Sequence, residues 1–227
     1  MRPSFVGAYP EPMTEVRFRR SETADIERAI TGSRAATARL LAALETVDGL
    51  DVTRESRLPD WTVGHVLTHL ARNADSFTWI LRSASEGRVV PQYPDGAAGR
   101  GRDIAEGALR PAGTIVQDLR DSAARLEATW LDLPEVVWLR GGLRTDGSPL
   151  PCRLLPVSRW REVEVHHADL GLGYGVSDWP EDFVAFDLPY ALDRLPTMIE
   201  DASQKTALLA WVYGRAGLPS EIELGPF

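Results

Sequence analysis

Apolar residues recur along this chain at helical spacing over four long stretches. Ile26, Ile30, Leu40, Leu41, Leu44 and Val47 share one face of a predicted helix that opens near Ser21 and closes at Gly49. Val63, Val66, Leu67, Leu70, Phe77, Ile80 and Leu81 predict a second helix, from an N-cap at Asp60 to about Ser83. Ile115, Val116, Leu119, Ala123, Leu126 and Trp130 predict a third over 112–132. A fourth, over 154–170, ends at "GLGYG", whose glycines suit a C-cap. Just before it, "VVWLRGGLRTDGSPLPCRLLP" reads as two short β-segments about a turn near "TDGS". Four long helices with a hairpin before the last predict a mainly α protein, a four-helix bundle.

The remaining segments carry weaker patterns. Residues 1–20, with Pro3, Pro10 and Pro12, read as an irregular arm. The glycine-rich stretch 84–111 shows little periodicity and is expected to be a long loop, of the kind that often serves as a lid or a binding loop. Its Arg100, Arg102 and Arg110 are candidates to meet an anionic ligand. The tail holds apolar helical stretches at 183–200 and 205–215 and a short strand near "EIEL", a small α/β appendage. The expected organisation is an arm (1–20), a helical bundle (21–175) and a short C-terminal domain (176–227).

Composition narrows the class. A net charge of -8 argues against broad binding to nucleic acid or anionic membranes. No apolar run approaches the length of a membrane span. The first twenty residues lack the apolar core and cleavage site of a secretory signal, so cytoplasmic residence is expected. The single cysteine, Cys152, excludes an internal disulfide and a multi-cysteine zinc site, and is expected to be a buried thiol. Lys205 is the only lysine among 25 basic residues, a bias that fits a GC-rich genome.

The chemistry concentrates in the histidines. All four lie in two clusters: His65 and His69 in "WTVGHVLTHLARNAD", His166 and His167 in "REVEVHHADLG". Residues four apart share a helix face, so Glu162 projects with His166, and His65 with His69. Two helices facing across a bundle core can thus offer imidazoles and a carboxylate to one metal ion. Two histidines and one glutamate leave a fourth position open, as in catalytic zinc sites. Glu164 and His167 form a rival pair on another face. Leu155, Val163, Val165 and Leu170 surround the Glu162 pair, so that stripe reads as the more apolar, and a buried carboxylate and imidazole need a partner such as a metal.

"DWTVGHVLTHLARNAD" and "RWREVEVHHADLG", together with the C-terminal "ALLAWVYGRAGLP", resemble the mycothiol-dependent maleylpyruvate isomerase family of DinB-like metal-binding bundles. The resemblance covers the chain from Ser21 onward. It implies metal ligands at His69, Glu162 and His166, and a catalytic arginine at Arg215. It leaves His65 structural or supporting, and sets Asp169 to orient a ligand histidine and Asn73 to line the pocket. It further implies one zinc ion and mycothiol as cosubstrate. The thiolate would add to the cis double bond of maleylpyruvate and leave after rotation, giving fumarylpyruvate. A mycothiol S-transferase acting on an electrophile, and a metal-binding bundle without turnover, are the alternatives. The expected partners are a small thiol and a small anionic or electrophilic substrate, in a monomer or small homo-oligomer of actinobacterial type. Between the helix at 183–200 and "TALLAWVYGR" the chain is much shorter than in the family.

Overall fold

The computed structural model describes residues 20–217, with side chains from residue 25 onward. In chain order the elements are α1 (Arg20–Glu45), α2 (Val63–Ser85), α3 (Gly96–Ala108), α4 (Ala112–Leu131), β1 (Gly141–Leu143), β2 (Pro149–Pro151), α5 (Leu155–Asp169), α6 (Glu181–Met198) and α7 (Ala202–Val212). The described residues fall into two compact units, divided between Trp179 and Pro180.

In the first unit α2 packs against α4 and α1 against α5, with further contacts from α2 to α5 and from α1 to α4. This is the expected four-helix bundle. Its core is built from the periodic apolar residues of all four helices, among them Leu40, Leu67, Leu70, Ile80, Ile115, Leu119, Leu126 and Leu155, all fully buried. Each such side chain contributes about 1.5–3 kcal/mol through burial. The α1–α5 contact depends on Gly32, where a Cβ would collide with the ring of Trp160. Glycine there lets the indole, 1% exposed, lie flat against the α1 backbone.

The start of α2 differs from expectation. Asp60 is not the N-cap; it sits in the preceding turn with φ +63°, a left-handed conformation that aspartate tolerates better than most residues. Thr62 caps the helix instead. Its hydroxyl accepts from the His65 N–H at 3.4 Å, while His65 Nδ1 accepts from the Thr62 N–H at 3.2 Å. This is a reciprocal capping box with histidine in the place usually taken by Glu or Gln.

The stretch 84–111 is also not one long loop, since α3 fills half of it. The helix seats on α2 through Gly107, where a Cβ would run into the Thr68 side chain. The hairpin forms as expected, though shorter: Gly141 pairs with Pro151, Gly142 with Leu150 and Leu143 with Pro149. Residues flanking it, Glu135–Leu139 and Cys152–Leu154, are 3₁₀ turns rather than strand. Among the described residues no helix is long and apolar enough to cross a membrane.

The second unit, taken by itself, holds α6 and α7. Asp201 caps α7 by accepting from the Ser203 and Gln204 N–H groups. The helix ends in a Schellman turn: Gly214 has φ +65°, its N–H donates to Trp211, and the Arg215 N–H donates to Ala210. The strand expected near "EIEL" and the arm before Arg20 lie outside the described residues.

Candidate metal centre

Where α2 crosses α5, His69, Glu162 and His166 meet, their ligand atoms all within 4.8 Å of one another. His69 comes from the second turn of α2, and Glu162 and His166 come from successive turns of α5. His69 Nε2 lies 2.8 Å from Glu162 Oε2, and His166 Nε2 lies 3.5 Å from the same oxygen. The two imidazole rings stand edge to face at 4.8 Å between centroids. Trp61 closes one side, its ring edge-on to His69 at 5.5 Å.

The environment of each group is distinct. Burial works against the charge of Glu162, but hydrogen bonds with His166 and His69 hold the carboxyl below the usual carboxylate range. Burial likewise opposes a charge on His166, yet the carboxylates of Asp169 and Glu162 hold its pKa up at about 9. His69 goes the other way, its pKa lowered by burial that the bond to Glu162 does not overcome. A site with two imidazoles, one carboxylate kept ionised and one histidine raised by negative neighbours attracts positive charge. Nitrogen and oxygen donors of this kind suit a divalent ion such as zinc.

The remaining candidates fall in different places. Asp169 Oδ2 lies 2.8 Å from His166 Nδ1, on the far side of the ring from Glu162. Asn73 is buried, and its Oδ1 accepts from Arg159 Nη1 at 2.8 Å. His65 serves the cap of α2, with its ring 6.1 Å from Trp61. Arg215 is exposed and lies in the second unit.

Burial along α5 runs opposite to expectation. The side chain of Glu164 is 1% exposed, against 30% for Glu162. Glu164 accepts from Arg39, from Trp160 Nε1 and from the Tyr174 hydroxyl, and His167 stacks on Tyr174 at 3.8 Å. The apolar stripe does not select the ligand pair, because the Glu164 face is satisfied by these three donors. Glu162 and His166 are nonetheless the pair that meets His69. Of the arginines proposed for an anion, Arg102 pairs with Asp95 and Arg110 with Asp118. Arg100 reaches His69, its Nη2 lying 3.0 Å from Nδ1. The sequence offers Arg100 as a possible anion contact but gives no link to the histidine clusters, because without α3 nothing carries it to the bundle.

The family model described as the mycothiol maleylpyruvate isomerase N-terminal domain matches residues 33–171, which span every member of this centre. The fold is similar to a crystal structure of a mycothiol-dependent maleylpyruvate isomerase, with a TM-score of 0.66 and 28% identity over 71% of this chain and 67% of that one. It is equally similar to a histidine-to-alanine mutant of such an isomerase, with a TM-score of 0.66 and 27% identity over the same shares. No curated protein matches at a significant level. The chain belongs to the mycothiol maleylpyruvate isomerase N-terminal domain family.

Proposed function

We propose that this protein is a zinc- and mycothiol-dependent isomerase that converts maleylpyruvate to fumarylpyruvate. The observation that carries the reading is the convergence of His69, Glu162 and His166 at one point between α2 and α5. These three residues would hold the ion. Zinc bound there would keep the sulfur of a small thiol deprotonated at neutral pH.

The chain's own residues prepare that chemistry. Asp169 accepts a hydrogen bond from the Nδ1–H of His166, which leaves the Nε2 lone pair for the ion. Trp61 covers His69 and keeps water from that side. Cys152 is fully buried, and burial pushes its thiol up to about 12, so it does not serve as the nucleophile and the thiol is supplied by the cosubstrate. The external thiolate adds to one carbon of the cis double bond, and the electron pair moves onto the conjugated carbonyl. The bond is then single and rotates. Return of the electron pair expels the thiolate and restores the double bond as trans, so no atom is gained or lost. Arg215 would hold a substrate carboxylate or the developing enolate with its planar guanidinium.

Turnover of maleylpyruvate by metal-replete protein, followed with and without mycothiol, tests the reading. Isomerisation only in the presence of the thiol is expected. A rate indifferent to mycothiol would overturn it.

A further inference from the structure

Arg100 stands out among the arginines of the bundle. Three others are neutralised by carboxylates: Arg102 by Asp95, Arg110 by Asp118, Arg72 by Asp75 and Asp118. Arg100 has no carboxylate partner among the described residues. Its contacts are His69 Nδ1 at 3.0 Å and Tyr93, whose ring centroid lies 5.8 Å from the guanidinium carbon. Tyr93 is itself buried, so Arg100 rests on a fixed aromatic floor.

Charge and hydrogen bonding both give this placement a purpose. Glu162 supplies one negative charge to the three-ligand set and Asp169 a second behind His166, so a divalent ion there leaves no negative charge to spare. A guanidinium touching one of the ligands finds no counter-charge there unless an anion lies between. Arginine only donates, so His69 accepts Arg100 at Nδ1 and carries its proton on Nε2, facing Glu162. Once Nε2 is given to a metal ion, the neutral ring carries its proton on Nδ1 and has nothing to offer Arg100. The guanidinium is then a free donor fork at the edge of the centre.

We propose that Arg100, carried to the site by α3, is a substrate-anchoring residue that grips a carboxylate of a small cis-dicarboxylic acid. The placement gives the first unit its own anion anchor, independent of Arg215. The proposal rests on the metal-centre reading above, and its test keeps the two apart.

The unreactive cis-dicarboxylate maleate is titrated calorimetrically into zinc-loaded wild type, Arg100→Gln, Arg100→Lys and Arg102→Gln, with zinc content measured on each sample. Wild type binds maleate. Arg100→Gln weakens it about ten- to a hundred-fold, the range for losing hydrogen bonds to a charged group. Arg100→Lys, which keeps the charge and loses the planar fork, falls between. Arg102→Gln, whose native arginine is occupied by Asp95, binds as wild type. If Arg100→Gln does not fold, Arg100→Lys decides alone, with at least a several-fold loss expected. Full zinc loading with equal maleate affinity in wild type and the Arg100 variants, or with no maleate binding by wild type, overturns the role of Arg100 alone. Failure of wild type to load zinc overturns the metal-centre reading and this proposal with it.

Discussion

His166 and Asp169 form an imidazole–carboxylate pair at 2.8 Å, three residues apart on α5, with the other ring nitrogen turned to Glu162. The pair fixes which nitrogen of His166 is free to coordinate. Carboxylates in this position raise ligand basicity, and their loss typically costs ten- to a hundred-fold in metal affinity. Asp169→Ala is therefore expected to lower zinc affinity by about that factor. Stoichiometry at saturating zinc should be unchanged. Competition with a chromophoric chelator measures the effect, and an affinity equal to wild type would remove Asp169 from the centre.

His167, adjacent in sequence, is predicted to govern acid stability instead. Burial, with help from the charge of Arg39, lowers its pKa from 6.5 to about 4 in the folded chain. The unfolded chain keeps the ordinary value and binds the proton first as pH falls. The stability due to the neutral ring is thus complete above about 6.5 and is lost as the pH falls towards 4. Urea unfolding midpoints between pH 7 and pH 4.5 should drop more steeply in wild type than in His167→Phe, which keeps a ring on Tyr174. Parallel slopes would contradict this.

Cys152 should be chemically silent. Its thiol is fully buried, and burial pushes it to about 12, so almost no thiolate exists at pH 8. Iodoacetamide should leave the native protein unlabelled and should label it fully in denaturant. Cys152→Ala should retain thiol-dependent turnover. Loss of turnover in a folded, metal-loaded Cys152→Ala protein would point to an internal nucleophile.

The four bundle helices were legible because their cores repeat at 3.6 residues, and the histidine clusters because four-residue spacing puts pairs on one face. The parts that were not legible share a physical reason: small or polar groups doing what apolar residues usually do. Helix α3 seats on α2 with glycine at the closest approach and buries one large apolar side chain, Ile104, too little of a stripe to read. Thr62 and His65 make a capping box without the usual acid or amide, which drew attention to Asp60 instead. On α5, Glu164 is the more buried carboxylate because Arg39, Trp160 and Tyr174 satisfy it. Two of those partners lie on other parts of the chain, and spacing along α5 carries no trace of them.

Arg215 can be tested without reference to the bundle. It follows Gly214 in the turn that ends α7, where a positive charge favours the helix terminus by roughly 0.3–1 kcal/mol. Lysine would serve that role equally well. If Arg215 instead grips substrate, Arg215→Lys should lower turnover by about ten- to a hundred-fold, roughly 1.4–2.7 kcal/mol of transition-state stabilisation. Metal content and melting temperature should hardly move. Unchanged kinetics would leave it a helix-end charge.

The central claim is that His69, Glu162 and His166 hold one metal ion. Elemental analysis of purified wild type and His166→Ala, expressed in zinc-supplemented medium, tests it most directly. About one zinc per wild-type chain is expected, against little in His166→Ala, since two remaining ligands hold zinc poorly. His167→Ala serves as the control and should keep its zinc. Equal metal in wild type and His166→Ala would contradict the account.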